Sequence, residues 1–244
     1  MRNRVLILGG TREARDIARR VKLKGYDVIT SLAGVTAAPL LPEGRIRSGG
    51  FGGQSGLEDF LRKEGVALVV DAAHPFAAEI SKNGSAAAES CGIEFLRLER
   101  PGWTPGAGDQ WIFVKTIAEA VRRSPKNARI FLTIGQKQIG GFLARDDLGG
   151  LVRCIESPAQ SLPPRWVLLL ARPPFSVEGE ISLMREHEIG ILGSKNSGGA
   201  QTAAKLAAAR QLQIPVIMVE RPSKPAAKTA SNVDGMMELI AKSF

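Results

Sequence analysis

The chain alternates short apolar runs, rich in β-branched residues, with longer segments whose apolar residues recur at helical spacing. Short runs of this kind are typical of buried strands, and the helical spacing is typical of amphipathic helices. The pattern predicts strands at 4–8, 26–30, 66–70, 93–98, 111–114, 129–134, 151–155, 166–170, 189–192 and 215–219. It predicts helices over 12–24, 57–64, 78–90, 116–123, 177–187, 200–212 and 233–242.

Strand and helix alternate along most of the chain, which favours parallel sheets covered by helices on both faces. About ten strands would make a large open sheet. We therefore predict an α/β protein with two Rossmann-like domains, mainly parallel sheets of about five strands each and an active-site cleft between the domains. The proline- and glycine-rich segment 99–110 is the expected boundary, giving domains 1–100 and 101–244, with a last helix that can pack back on the first domain.

A glycine pair follows the first predicted strand, in VLILGGTREA. Gly9 and Ala14 fill the outer positions of the G-x-G-x-x-G/A fingerprint, but Thr11 stands at its middle glycine. A turn between a strand and a helix directs backbone amides and a positive dipole at an anion. We predict that Gly9, Gly10 and Thr11 hold a dinucleotide diphosphate; the alternative is a plain turn.

The second predicted strand ends in ITSLAGVT without an acidic residue. An acid at this point binds the ribose 2′-hydroxyl of NAD, whereas NADP needs cations and donors for a phosphate. Hydroxyls and arginines here favour NADP: Thr30, Ser31 and Thr36, with Arg12, Arg45 or Arg47. The glycine run at 48–53 is either a ligand loop or a linker.

Four further candidate features lie in loops that follow predicted strands. His74 follows the third sheet strand, where a histidine is as readily catalytic as structural. Segments 133–137, 172–176 and 192–200 combine small residues with a cation, and are suited to bind carboxylates or phosphates.

Composition narrows the class of ligand. The net charge is +9 over 244 residues, but lysines and arginines are scattered and one tyrosine is present, which favours a polyanionic small molecule over nucleic acid. Two cysteines give neither a metal cluster nor a disulfide framework, so we expect no metal and a cytoplasmic setting. No apolar run is long enough to span a bilayer, so we expect no membrane partner. Short-chain dehydrogenases need a Tyr-x-x-x-Lys pair. The one tyrosine here is Tyr26, and the residue four positions after it is Thr30 instead of lysine, so that class is excluded.

Five segments together resemble a known family. They are ILGGTREA, DAAHPFAAEISKN, RLERPGW, LTIGQKQIGGF and GSKNSGGAQTAAKLAAARQLQIPVIMVERP. The sequence from about residue 4 to residue 222 is similar to the precorrin-6A reductases of cobalamin biosynthesis. It departs from many members at Ala73, where they carry threonine, and at Gly193-Ser194, where they carry valine-threonine.

The resemblance implies that NADPH delivers a hydride to precorrin-6A, a tetrapyrrole with many carboxylates, to give precorrin-6B. It places the cofactor at Gly9, Gly10, Thr11, Ser31, Thr36 and Arg45, and substrate contacts at Arg12, Ser81, Lys137, Arg172, Lys195 and Asn196. His74 and Lys137 are the candidates for handling the proton, with bulk water as the alternative. Transient contact with other enzymes of the pathway is expected.

Three other functions stay open at this point. One is the cobalt-precorrin-6A reductase of the anaerobic route, because no residue identifies a central metal in the substrate. Another is a tetrapyrrole synthase or lyase similar to uroporphyrinogen-III synthase, which shares the polyanionic substrate but needs no nicotinamide. The third is a module that binds NADPH without oxidising it.

Overall fold

A computed structural model describes residues 3–34 and 40–244. Twelve strands are present among these residues: β1 (Arg4–Leu8), β2 (Asp27–Leu32), β3 (Arg45–Ser48), β4 (Leu68–Asp71), β5 (Glu94–Leu98), β6 (Trp111–Val114), β7 (Arg129–Thr133), β8 (Gly149–Cys154), β9 (Trp166–Leu170), β10 (Ile191–Lys195), β11 (Val216–Val219) and β12 (Lys228–Ala230). The α-helices are α1 (Arg12–Leu23), α2 (Gly53–Glu64), α3 (Ala78–Ser90), α4 (Ile117–Arg123), α5 (Gly140–Leu143), α6 (Val177–Glu186), α7 (Ala204–Gln211) and α8 (Val233–Lys242). Short 3-10 helices span Gln136–Gln138 and Ala200–Thr202.

The chain divides into two compact units. The first contains the residues up to Pro101 together with Pro222–Phe244, and the second is the continuous segment Gly102–Arg221. The division differs from the ranges 1–100 and 101–244 in its last 23 residues, Pro222–Phe244, which belong to the first unit. The reason is that β12 pairs with β5 and α8 packs against α1.

The first unit is a six-stranded parallel sheet in the order β12-β5-β4-β1-β2-β3. Successive side chains of β1 point to opposite faces, as the pleat requires. Val5 and Ile7 enter a core built with α1 and α8, and Leu6 and Leu8 enter a second core built with α2 and α3. Both faces of the sheet are therefore covered.

The second unit is also a six-stranded parallel sheet, in the order β6-β11-β10-β7-β8-β9. Phe131 and Leu192 lie in a core with Met184 of α6 and Leu206 of α7. Helix α4 packs against β6 and β11. The predicted fold class, two α/β domains with parallel sheets, is confirmed.

The sequence pattern missed β3 and β12, which are both edge strands of the first sheet. β3 reads Arg-Ile-Arg-Ser and has no buried residue, and β12 has one, Ala230. These two edge strands lack an apolar run, so hydrophobic periodicity cannot find them, whereas the edge strands β6 and β9 of the second sheet have such runs and were predicted. The ten predicted strands divide into four in the first sheet and six in the second, and β3 and β12 bring the first sheet to six as well. Across 3–34 and 40–244, no helix combines the length and the apolar character that a bilayer crossing requires.

Candidate functional site

Because all strands within a sheet are parallel, their carboxyl ends lie along one edge, where α/β proteins bind ligands. In the first unit the turns after β1, β2 and β4 share that edge. In the second unit the loops after β7, β9 and β10 share the corresponding edge. The two edges are called the first and second carboxyl edge below.

The glycine pair makes the tight turn between β1 and α1. Gly9 donates its N–H to Ser31 O at 2.9 Å, and a β-carbon at Gly9 would lie 2.7 Å from the Thr30 methyl carbon. Gly10 has φ of +105°, and a β-carbon there would meet no heavy atom within 4 Å. Gly9 therefore permits close packing of β1 on β2, while Gly10 leaves open space beside a backbone conformation that disfavours other residues.

Thr11 is the N-cap of α1. Its hydroxyl accepts from Ala14 N at 3.0 Å and donates to Ala72 O at 2.7 Å. The single hydroxyl proton is thus committed to Ala72, so the side chain does not donate to a phosphate in this arrangement. Thr11 contributes to an anion site through its backbone and by fixing the first turn of the helix.

The end of β2 carries Ser31 and faces an arginine of β3. Arg47 donates to Ser31 Oγ and to the carbonyls of Gly49 and Gly50 at 2.8–2.9 Å, and its guanidinium lies 3.7 Å from the centroid of Phe51. Burial lowers the pKa of Arg47 from its usual value. These bonds use three of five guanidinium N–H groups, so the side chain is held in place with donors to spare. The glycine run thus anchors Arg47 rather than forming only a linker.

Arg45, predicted beside the 2′-phosphate, points elsewhere. Its guanidinium pairs at 2.9 Å with Glu64, the last residue of α2, which also pairs with Arg4 at the start of β1. Arg45 therefore lies at the amino edge of the sheet, opposite to the edge where the 2′-phosphate was predicted. Position along β3 explains the difference, because Arg45 and Arg47 share one face of the strand: Arg45 begins β3 and pairs with Glu64, while Arg47, two residues closer to the carboxyl end, reaches Ser31. Arg12 is exposed in the first turn of α1, and Thr36 lies outside the described residues.

His74 and Ser81 flank the loop that follows β4. His74 is exposed, and its Nδ1 accepts from Phe76 N at 3.2 Å. Ser81 is fully buried in α3 and donates to Ala77 O at 3.2 Å. The structure therefore brings His74 to the first carboxyl edge but gives Ser81 no exposed surface for the predicted substrate contact.

A buried ion network at the end of β4 and β5 escaped the sequence analysis. Asp71 accepts from Arg97 Nε at 3.2 Å and from Ala73 N at 3.2 Å, and Lys224 Nζ lies 3.9 Å from the same carboxylate. Arg97 also donates to Pro225 O at 2.7 Å, and its Nη2 is buried without a partner among the described residues. The sequence did contain a signal for this network, since Arg97 is a charged residue inside the apolar run FLRL.

The second carboxyl edge gathers cations from neighbouring strands. Lys195 ends β10, Lys137 follows β7 and Arg172 follows β9, so three predicted substrate residues lie along one sheet edge. We call these three residues the basic row. Lys137 and Arg172 are exposed, and Arg172 lies 3.8 Å from Glu156. Lys195 is half-buried, and burial lowers its pKa to about 8.

Asn196 directly follows Lys195 of the basic row and has a structural contact besides the predicted role. Its side-chain oxygen accepts from Trp103 N at 2.7 Å, and its amide nitrogen donates to Trp103 O at 3.0 Å. The Trp103 indole donates to Gly199 O at 3.1 Å. The amide oxygen and one of the two amide N–H groups of Asn196 are engaged, so the side chain clamps Trp103; its contact with a substrate carboxylate stays a prediction.

A second buried ion network lies beneath this clamp. Arg153 of β8 makes a bidentate ion pair with Glu180 of α6, and its guanidinium is 3.7 Å from the Phe175 ring centroid. Lys205 of α7 is 4% exposed, and its Nζ is 5.1 Å from the Trp103 ring centroid. The lysine inside AAKLAAAR marked this site in the sequence, because a charge on the apolar side of a helix is unusual.

No group of three or more metal-ligating His, Cys, Asp or Glu side chains occurs within 3–34 and 40–244. What the two edges offer is a backbone turn suited to a diphosphate and a set of side-chain cations suited to carboxylates.

Comparisons with known proteins agree on one family. The chain matches the family model described as "Precorrin-6x reductase CbiJ/CobK" over residues 4–241. The precorrin-6A reductase of Rhodococcus erythropolis is 47% identical over 240 residues, which are 97% of each chain. That of Rhodobacter capsulatus is 42% identical, covering 98% of this chain and 96% of the relative. The cobalt-precorrin-6A reductase of Priestia megaterium is 31% identical, covering 89% and 90%.

A solved structure gives the same answer. The structure titled "CobK precorrin-6A reductase" superposes with a TM-score of 0.92 at 41% identity, covering 99% of this chain and 97% of its own. The family match covers nearly the whole chain, and it agrees with the two parallel-sheet units and with the glycine turn after β1. The chain belongs to the precorrin-6x reductase family, the reductases of cobalamin biosynthesis.

Proposed function

We propose that this chain uses NADPH to reduce precorrin-6A to precorrin-6B. The relatives named precorrin-6A reductase are more similar to it than the relative named cobalt-precorrin-6A reductase, which favours the metal-free substrate. Two features of the chain fit a polyanionic tetrapyrrole and a dinucleotide: the basic row on the second unit and the glycine turn on the first. We expect the reaction in the cytoplasm, with transient contacts to other enzymes of the pathway.

The observation that carries the choice of NADPH is the contact between Arg47 and Ser31. Both lie at the end of β2 and β3, where a dinucleotide-binding sheet receives the adenosine ribose. A carboxylate there would repel a 2′-phosphate, whereas a guanidinium held by two carbonyls and an aromatic ring can pair with it. The open side of Gly10 leaves the space that a diphosphate needs. The residues present therefore fit NADPH.

When bound, NADPH supplies the hydride. The chain supplies orientation and charge. We expect amides of the Gly9-Gly10-Thr11 turn to hold the diphosphate and the basic row to hold substrate carboxylates. His74 Nδ1 accepts from Phe76 N, so a neutral His74 ring carries its proton on Nε2. We assign to that atom the proton that balances the hydride on the macrocycle.

The first experiment is cofactor-dependent heat stability, because a ligand that binds the folded state raises the melting temperature. Wild type is expected to shift clearly with NADPH and little with NADH. Arg47→Ala is expected to weaken NADPH binding about 30-fold, the equivalent of about 2 kcal/mol for a charged hydrogen bond. NADH binding should stay nearly unchanged in this variant.

Arg45→Ala is the matched control, since it removes the same charge from the same strand but from the pair with Glu64. Its NADPH affinity should equal that of wild type. Equal losses in both variants would mean that general charge, and not the Arg47 position, selects the cofactor. Turnover of precorrin-6A, followed by NADPH absorbance, then tests the reaction itself; NADPH binding without turnover would contradict the reductase assignment.

A further inference from the structure

Lys205 has a buried side chain whose ammonium nitrogen has no hydrogen-bond acceptor among the described residues and is not itself fully enclosed, so a ligand atom can reach it. Within the described residues its Nζ makes no hydrogen bond or ion pair, and the neighbouring contact is the face of Trp103 at 5.1 Å. An aromatic face attracts a cation but does not replace the hydrogen bonds that an ammonium loses on leaving water. The environment of Lys205 is therefore incomplete.

The nearby carboxylate is already used. Both oxygens of Glu180 accept from Arg153, and both side chains of that pair are buried. The charged groups that act on Lys205 are Arg153, which repels it, and Glu180, which attracts it. Two cations thus share one carboxylate, and the bidentate geometry assigns that carboxylate to Arg153.

The surplus cation lies where a ligand is expected. Lys205 is in the first turn of α7, whose entry loop follows β10, and Arg153 is the next-to-last residue of β8. Both are at the second carboxyl edge, beside the basic row. Trp103, which covers Lys205, is fixed on both sides by Asn196 and by Gly199 O.

We propose that Lys205 binds one carboxylate of the anionic tetrapyrrole, beside Trp103, and so completes the Arg153–Glu180 network. The inference rests on the proposed function and adds a substrate-binding residue to the basic row. A carboxylate on Nζ would supply the missing acceptor and balance two cations with two anions.

Proton linkage gives this contact a signature. Burial and Arg153 lower the pKa of Lys205 to about 7, against the opposing effect of Glu180. A bound carboxylate favours the charged amine and raises that pKa again. Ligand binding should therefore add close to one proton at Lys205 at about pH 8, where free Lys205 is mostly neutral, and almost none at about pH 6. Lys195 of the basic row, whose pKa is lowered to about 8, adds up to about half a proton at pH 8, so the share of Lys205 is the difference in uptake between wild type and the Lys205 variants.

The test is titration calorimetry with precorrin-6A and the protein saturated with NADP⁺, so that no hydride is available. Heats measured at pH 8 in buffers of different ionisation enthalpy give the number of protons taken up. Lys205→Met is expected to lose most of the uptake and to bind precorrin-6A about 10- to 100-fold more weakly. Lys205→Gln should behave in the same way, which guards against a folding defect in either variant.

Lys126→Met is the matched control, because Lys126 is an exposed lysine of the same unit in the turn before β7. It should retain wild-type uptake and affinity. Uptake and affinity unchanged in both Lys205 variants would overturn the inference while leaving the reductase assignment intact. A wild-type protein that does not bind precorrin-6A would overturn both.

Discussion

The two carboxyl edges present anion-binding groups of different kinds. At the first edge the donors are backbone amides of a glycine turn, supported by the Thr11 cap and the Ala72 carbonyl. At the second edge they are side chains, namely the basic row and Lys205. Backbone donors are rigid and suit a diphosphate of fixed geometry, whereas long cationic side chains suit several carboxylates at different positions.

Each edge also has a buried network of two cations and one carboxylate, and these two networks differ. Asp71 shares its oxygens between Arg97, Lys224 and a backbone N–H, and Arg97 bonds a carbonyl as well. Glu180 gives both oxygens to Arg153 and none to Lys205. The first network thus ties backbone segments together and leaves one nitrogen of Arg97 unpaired among the described residues, while the second leaves the whole ammonium group of Lys205 for a ligand.

The largest expected effect comes from removing either carboxylate. Glu180→Gln should lower the free energy of unfolding by about 4 kcal/mol, since breaking a buried ion pair typically costs about 3–5 kcal/mol. Asp71→Asn should cost about 3 kcal/mol, because Pro225 O still accepts from Arg97. Urea unfolding followed by circular dichroism measures both.

A double variant separates the two networks. Adding Lys205→Met to Glu180→Gln removes one stranded cation, so it should recover part of the lost stability. If the double variant is no more stable than Glu180→Gln alone, Lys205 does not carry a surplus charge in the folded protein.

The glycine turn can be broken without touching any side-chain cation. Gly10→Val places a β-branched residue at positive φ and fills the open space beside the turn, so NADPH affinity should fall about 100-fold or more, the equivalent of about 3 kcal/mol. Gly25→Val is the matched control, with φ of +85° and no neighbour within 4 Å at the amino edge. Fluorescence titration with NADPH should show wild-type affinity for Gly25→Val, although both variants lose similar stability.

A smaller effect is expected at the Trp103 clamp. Asn196→Ala removes two hydrogen bonds to the Trp103 backbone and should cost about 2 kcal/mol of unfolding free energy. NADPH affinity should not change, because Asn196 belongs to the second unit. A loss of stability below about 0.5 kcal/mol would mean that the clamp is not a structural tie.

The sequence allowed the fold class and the main elements to be predicted because buried parallel strands leave short, continuous apolar runs between the helical segments. It also identified the turn at Gly9 and Gly10, because a glycine pair directly after the first strand of such a sheet is typical of a tight strand-to-helix turn. Side-chain direction was harder to predict. Arg45 and Arg47 differ by two residues, and their separate partners, Glu64 and Ser31, come from a distant helix and a neighbouring strand.

Residues predicted as ligand contacts also have structural partners, for a related reason. Thr11, Ser81 and Asn196 are polar residues near strand ends, which is also where helix caps and backbone clamps occur. Their partners, Ala72, Ala77 and Trp103, are backbone groups that leave no trace in composition. Arg97 and Lys205 were overlooked because a buried charge within an apolar segment gives no motif.

The division of the chain also sets an order of folding during synthesis. The second unit, Gly102–Arg221, is continuous, so all its strands leave the ribosome before residue 222. The first unit needs β12 and α8, whose residues Met236 and Ile240 fill the same core as Val5 and Ile7. Domains fold as units once their residues are available. The sheet behind the glycine turn is therefore complete only when residues that follow the whole second unit along the chain, among them Met236 and Ile240, are available.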